Sequence, residues 1–382
     1  MSLGRKRSRS KKTSKSSVTS SDKMGPLDIP NQEYDLNGST QQSDTQPILL
    51  LSTERSGSNL VRSILNAHPE ITAPHPPETA FPWRNIASPE DLSAEQRRKL
   101  VRDILINKRY SHHPLVEALD IDAIAERINR ADPKSFMTVH EALYAEYADV
   151  TDSSAWVSKD PSIWDYIEEL REYYDDIKIV YLVRDARDVV LSFKNSNAGQ
   201  YHPYFNAQRW AAEQGRGQEL LDSELGESMF QLQYEQLLQN PESVVESLCE
   251  FLELEYAPEM LYYYDTDDAQ EAAGSAAAFE NLSVPIKSDN FGKFHDGLTG
   301  AEVKITEKLA GEELEAFNYE LTTSEREREE FEFDVERYEE RDRTLTRIAA
   351  YEDWLGQTDE KVRRYTGRSF STYMILRYGL LA

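Results

Sequence analysis

The chain has almost no cysteine. Among 382 residues only Cys249 is present, which excludes an intrachain disulfide and any cysteine-rich metal site and fits a reducing, cytoplasmic setting. Histidine is sparse too. The seven histidines, at 68, 75, 112, 113, 140, 202 and 295, form no pair at helical metal-ligand spacing, so no metal is expected. No stretch approaches the ~18 consecutive apolar residues of a transmembrane helix. The N-terminus is basic but lacks an apolar segment behind the charges, so it does not read as an export signal. Positive charge is scarce as well: 43 Lys and Arg stand against 69 Asp and Glu, a net −26. Residues 1–24 alone carry a net +7, from Arg5, Lys6, Arg7, Arg9, Lys11, Lys12, Lys15 and Lys23 against Asp22, which leaves −33 on the rest. So acidic a body repels nucleic acid and anionic membranes unless cations gather locally. No nucleic-acid partner is expected.

Several buried-strand patterns are present. "ILLLS" from Ile48 is a short, wholly apolar run, and Leu60, Val61, Ile64 and Leu65 follow at helical spacing. "AWVSK" (155–159), "KIVYLV" (178–183) and "MFQLQY" (229–234) read as further strands, each followed by a helical pattern. A long helical stretch fills 92–150, interrupted by Pro114 and Pro133, and Pro161 is placed to open a helix. Strands alternating with helices predict an α/β fold: a central parallel sheet between two helical layers, a three-layer sandwich. The expected organisation is a disordered basic tail over 1–46, an α/β domain over 47–320 and a charged helical extension over 321–382.

Two turns carry the chemistry. The first, "STERSGSNL", follows the first strand and opens a helix. Gly57 allows close backbone approach, Ser56 and Ser58 bring hydroxyls, and Arg55 adds a cation where leading helix amides favour an anion. A nucleoside triphosphatase would need G-x-x-x-x-G-K-[ST]; here neither the lysine nor the earlier glycine is present. Alone, this turn is also compatible with a polar strand–helix junction that holds nothing. The second turn, "KIVYLVRDARDVVLSF", puts Arg184 just past a strand and Ser192 about two helical turns further on. Strand ends of one parallel sheet share an edge, so the two turns suit a nucleotide with two separate anionic groups.

At these residues the chain resembles the sulfotransferases that use 3′-phosphoadenosine 5′-phosphosulfate. "RSGSN" (Arg55, Ser56, Gly57, Ser58, Asn59) is similar to their 5′-phosphosulfate loop, and Arg184 and Ser192 match their arginine and serine for the 3′-phosphate. The resemblance implies the P-loop-like sulfotransferase fold and spans roughly 48–319. Several pieces look closest to the tyrosylprotein branch. "NAHPEITAPHPPET" leads to Glu78 and Thr79, "SKDP" supplies Lys159, "YEQLLQNPE" puts Tyr234 at a nucleotide-contacting tyrosine, and "PIKSDNFGKF" supplies Lys293.

What the resemblance implies is sulfuryl transfer to an acceptor hydroxyl, with Arg55 and Lys159 as catalytic cations and Glu78 as the base. The donor contacts would be Arg55 to Asn59, Arg184, Ser192, Tyr234 and Lys293. Read without the resemblance, Glu78 is a turn-capping carboxylate, Lys159 a surface partner of Asp160, Tyr234 core packing, and Arg184 and Arg187 ordinary surface partners of the flanking Asp185 and Asp188. Two departures bear on the acceptor. Ala80 stands where the tyrosylprotein branch usually has an arginine, and Ser196 stands where it has another, with Lys194 close by. A carbohydrate or glycolipid hydroxyl is therefore favoured over a tyrosine in an acidic peptide. The alternatives are a kinase of related architecture and a protein that binds the nucleotide without turnover.

Overall fold

The computed structural model describes residues 45–74, 89–109, 118–132, 134–160, 163–174, 176–195, 202–275, 277–338 and 340. Its centre is a sheet of five parallel strands: β1 (Gln46–Ser52), β2 (Ile71–Thr72), β3 (Ala155–Ser158), β4 (Lys178–Val183) and β5 (Met229–Gln233), in the order β2-β3-β1-β4-β5. β1 therefore sits where the chain stops adding strands on one side and starts on the other. In open α/β sheets that switch point, at the C-terminal strand ends, is where ligands bind.

The runs in β1 and β4 are apolar throughout because both faces are covered. Leu49 and Leu51 of β1, with Ile179, Tyr181 and Val183 of β4, enter one buried cluster. Ile48 and Leu50, with Val180 and Leu182, enter the other. Side chains alternate across a strand, so a strand buried on both sides needs apolar residues at every position. Helix α1 (Ser58–Asn66) lies on the second face with Val61, Ile64 and Leu65 buried. On that face also lie α8 (Tyr234–Gln239) and α9 (Pro241–Phe251). The first face is covered by α5 (Ile167–Tyr173), α6 (Ala186–Lys194), α7 (Pro203–Leu221) and α12 (Gly300–Ala316).

The helical stretch before β3 resolves into α2 (Ala94–Arg109), α3 (Ile121–Arg130) and α4 (Phe136–Thr151). Val101, Ile104, Ile124, Ile128, Val139 and Leu143 give these three helices a cluster of their own. Asp120 caps α3 and a Ser135–Thr138 capping box starts α4, which satisfies amides that a helix start leaves unpaired. Pro114, Pro133 and Pro161 lie outside the described residues. After Pro161 comes a 3₁₀ turn, Ile163–Asp165, ahead of α5. Tyr234, expected at the end of a strand, is the first residue of α8.

Two buried charges fasten the periphery. Arg62 of α1 is fully buried and donates to Ala73 O at 2.6 Å and to Asp268 Oδ2 of α10 (Asp267–Ser275) at 2.7 Å. Asn66, one turn on, accepts from Ala73 N at 2.7 Å, so α1 holds both backbone groups of Ala73. Glu307 of α12 is 1% exposed and receives Arg187 Nη1 at 2.7 Å, Thr322 N at 2.9 Å and Thr323 N at 2.8 Å. Beyond it, the helix α13 (Glu325–Glu330) carries no buried residue.

Candidate active site

Four strands deliver one residue or turn each to the same edge of the sheet. After β1 the chain enters a tight turn in which Arg55 (φ 69°) and Gly57 (φ 97°) both have left-handed backbone. Glycine adopts that conformation freely, whereas for arginine it costs roughly 1–2 kcal/mol. Side chains from the covering helices fix the turn. Trp164 Nε1 donates to Ser52 O at 3.1 Å, and Gln214 Nε2 donates to Thr53 Oγ1 at 2.8 Å. Tyr181 OH in turn donates to Gln214 Oε1 at 2.5 Å.

Helix α1 then starts at Gly57 with no side-chain cap and no acidic residue in its first turn. Its leading amides have no intrahelical partner and carry the positive end of the helix dipole. Ser56 is fully buried, and its hydroxyl has no hydrogen-bond partner. Ser58 is buried and Asn59 half-buried beside it.

Arg184 follows β4. Its Nη1 donates to Arg55 O and its Nη2 to Asn290 O, both at 3.3 Å, and the guanidinium lies 4.4 Å over the Tyr234 ring. Trp210 Nε1 holds the Arg184 carbonyl at 3.0 Å. Arg184 Nε is buried without a partner. Ser192, two turns along α6, accepts from Arg55 Nε at 3.1 Å, so the two sequence motifs meet directly. Tyr234 follows β5, and its ring packs on Gly57: a Cβ added there would lie 2.4 Å from Cε2. One aromatic ring therefore touches both the glycine turn and Arg184.

Lys159 follows β3, the strand beside β1, and is partly buried. Burial pulls its ammonium below the ordinary lysine value, with the positive charges of Arg62 and Arg55 acting the same way and Glu54 and Asp160 opposing. Arg55 is also lowered, by burial first and then by Arg184, against Glu54. Lys159, Arg62, Arg55 and Arg184 thus form a run of four neighbouring cations, an arrangement that an incoming anion relieves. Glu54 is tied off by Arg209 of α7 at 2.7 Å, and Arg209 also holds Glu213 at 2.7 Å. Beneath Lys159, His140 Nε2 lies 2.9 Å from Ser158 Oγ, and burial pushes this imidazole down to about 3.

The loop before α11 (Phe294–Gly297) completes the edge. Lys293 is exposed and donates from Nζ to Asn290 Oδ1 at 2.5 Å, while Asn290 Nδ2 donates to Tyr234 OH at 2.8 Å. The structure therefore brings together Arg55, Ser56, Gly57, Ser58, Asn59, Arg184, Ser192, Tyr234 and Lys293, with Lys159 on the adjoining strand. Glu78, with His75, Thr79 and Ala80, lies outside the described residues, as does Ser196. Lys194 is paired with Glu302 at 2.8 Å and donates to Gly297 O at 3.2 Å. Ser283 donates to Glu280 O at 2.9 Å. Sequence reasoning passed over Asn290 and Asp188; the latter's carboxylate accepts from Gly292 N at 2.7 Å and Phe294 N at 3.0 Å.

A family model described as "Sulfotransferase family" matches residues 47–258, more than half of the chain. The chain belongs to the sulfotransferase family. The match includes every strand-end residue named above and stops before Asn290 and Lys293. This sulfotransferase is 29% identical over 148 residues to Nodulation protein NoeE of Sinorhizobium fredii (strain NBRC 101917 / NGR234). That alignment covers 38% of this chain and 30% of NoeE, so the sulfotransferase matches under a third of that curated relative's length. Among solved structures, it superposes on the sulfotransferase domain from the Synechococcus PCC 7002 olefin synthase with a TM-score of 0.52 and 20% identity. The superposition covers 74% of this chain and 98% of that domain, and it shows the P-loop-like α/β fold. A sulfotransferase domain from the curacin biosynthetic pathway aligns at 21% identity and a TM-score of 0.45, over 72% of this chain and 99% of that one.

Among the described residues no helix is long and apolar enough to cross a membrane, and no group of three or more His, Cys, Asp or Glu could hold a metal ion.

Proposed function

We propose that this sulfotransferase moves the sulfuryl group of 3′-phosphoadenosine 5′-phosphosulfate to an acceptor hydroxyl. The observation that supports this most is the shared Tyr234 ring, which contacts both Gly57 and Arg184, beside the unpartnered Ser56 Oγ and Arg184 Nε. These two are among several buried atoms without a partner among the described residues, and they are the ones set in the two turns that a ligand with oxygens to spare would bridge. In this reading the turn at 55–59 takes the 5′ end through the α1 amides and the Ser56, Ser58 and Asn59 side chains. Arg184 and Ser192 take the 3′-phosphate, and Tyr234 and Lys293 flank the nucleotide.

The donor supplies a sulfuryl group already attached to a phosphate that leaves. Arg55 and Lys159 set two desolvated cations where charge builds on that phosphate, and so favour the transition state over the ground state. Glu78 takes the proton from the acceptor hydroxyl, which is a poor nucleophile while it keeps it. No metal enters this scheme, because side chains provide the positive charge.

For the acceptor we favour a carbohydrate or glycolipid hydroxyl, although the motifs look closest to the tyrosylprotein branch. The arginine which in that branch follows the Glu-Thr pair is replaced by Ala80, and Lys194 is engaged by Glu302. The cytoplasmic placement, and the division into 1–46, 47–320 and 321–382, belong to the same proposal.

The test is incubation with 35S-labelled donor and a panel of saccharide, glycolipid and peptide acceptors. Label on a saccharide supports the full reading, and label on tyrosine overturns the acceptor assignment. Transfer from ATP in place of the phosphosulfate would make the protein a kinase. Tight binding of adenosine 3′,5′-bisphosphate without transfer to any acceptor would make it a non-catalytic nucleotide-binding protein.

A further inference from the structure

Asn290 is 106 residues from Arg184 in sequence and lies beyond the part of the chain that matches the family. Three of its polar groups nevertheless engage three separate residues of the candidate site. Its carbonyl accepts from Arg184 Nη2 at 3.3 Å, its Nδ2 donates to Tyr234 OH at 2.8 Å, and its Oδ1 accepts from Lys293 Nζ at 2.5 Å. The loop that carries it is held by Asp188, whose carboxylate also lies 3.7 Å from Arg184 Nη2. Gly292, with φ 67°, and Phe294 give their amides to the two oxygens of Asp188, which is 2% exposed on α6.

These contacts leave Arg184 in a defined pose. Carbonyls occupy Nη1 and Nη2, the Asp188 carboxylate lies 3.7 Å from Nη2, the guanidinium plane rests on Tyr234, and Nε lacks a partner. Asn290 sets two of those restraints: it contributes the Nη2 carbonyl, and it fixes the phenol end of the ring beneath. It also draws the Lys293 ammonium toward the same point. Without its side chain, Tyr234 and Lys293 each lose a partner while the rest of the turn is untouched.

We propose that Asn290 is a positioning residue for the 3′-phosphate, acting through Arg184, Tyr234 and Lys293 rather than through the 5′ loop. The inference rests on the donor reading above and adds a selectivity to it. Removing the Asn290 side chain should weaken nucleotides that carry a 3′-phosphate and spare those that do not.

Calorimetric titration with adenosine 3′,5′-bisphosphate and with adenosine 5′-phosphate provides the comparison, on the full-length protein and on Asn290→Ala and Asn290→Asp. Asn290→Ala loses one neutral hydrogen bond, to Tyr234, and one from the Lys293 ammonium, so affinity for the bisphosphate should fall roughly tenfold and affinity for the monophosphate less than about twofold. Asn290→Asp keeps an acceptor for Lys293 but adds a negative charge, so its loss on the bisphosphate should be the larger. Two folded variants are used so that either alone suffices. Equal losses on both nucleotides would make Asn290 a merely structural residue and overturn the inference, as would no loss on either. If the unaltered protein binds the bisphosphate no better than the monophosphate, the donor reading itself fails, and that outcome is read before any variant is compared.

Discussion

Gly57→Ala probes the arrangement on which the site depends. Two costs are separable. Alanine at φ 97° pays the left-handed penalty, about 1–2 kcal/mol. Its Cβ would also stand 2.4 Å and 2.6 Å from Tyr234 Cε2 and Cδ2, so the ring must retreat by about 1 Å to reach ordinary carbon–carbon contact. Overpacking of this kind costs roughly 1–3 kcal/mol. The total expected loss of stability is about 2–5 kcal/mol. A displaced ring also withdraws the surface beneath Arg184, and a cation–π contact of roughly 0.5–2 kcal/mol corresponds to a 2- to 30-fold loss in affinity. Urea unfolding of the unaltered protein, Gly57→Ala, Tyr234→Ala and the double variant closes a thermodynamic cycle. In the Tyr234→Ala background the clash is gone, so Gly57→Ala should cost only the backbone term. Titration with adenosine 3′,5′-bisphosphate on the same four proteins reads the second effect. If Gly57→Ala costs the same with and without the tyrosine, or leaves affinity for the nucleotide unchanged, the contact between ring and turn is not what organises the site.

Three further outcomes follow from the geometry. Arg184→Ala should weaken bisphosphate binding by about 1.5–3 kcal/mol, the range for a hydrogen bond to a charged group, and calorimetry showing no change removes Arg184 from the site. Because burial depresses Lys159 below the lysine value of 10.5, and a bound anion favours its charged form, donor affinity should fall as pH rises through that lowered value. Binding near it should take up protons in titrations run in buffers of different ionisation enthalpy, and Lys159→Met should abolish the uptake. His140 remains neutral in the fold down to about 3, against 6.5 in the unfolded chain. Its contribution is therefore complete above pH 6.5 and is lost as pH falls toward 3, at about 1.4 kcal/mol per unit. Between pH 7 and pH 4 the unaltered protein should lose about 3 kcal/mol more than His140→Gln in urea titrations.

The sheet was legible in the sequence because its strands are buried on both faces, which writes an unbroken apolar run such as "ILLLS" or "KIVYLV". Strand ends in a parallel sheet share an edge, so the turn at 55–59 and the segment 184–192 could be placed together before any coordinates. The Arg55–Ser192 hydrogen bond of 3.1 Å is the physical form of that inference. Other features leave no local trace. The two residues of β2 are too few for a periodic signal. Glu307 sits in a charged helix and reads as solvated, yet its partners bury it to 1% exposure. Trp210 and Gln214 look like ordinary members of an amphipathic helix, although one holds the Arg184 carbonyl and the other the Thr53 hydroxyl. Asn290 reaches Arg184 across 106 residues, and nothing in its neighbours marks it. Lys159, which reads as a surface lysine by sequence alone, is partly buried because β3 runs beside β1 in the middle of the sheet.

Because Arg62 and Asn66 grip both the carbonyl and the amide of Ala73, the segment that follows departs from a mooring on the same helix that heads the glycine turn. The anchorage fixes the backbone at Ala73, five residues before Glu78 in sequence, to the helix that begins at the glycine turn. A shift of that helix would therefore reach the donor loop and the start of the acceptor-side segment together, so the two halves of the proposed reaction share one mechanical support.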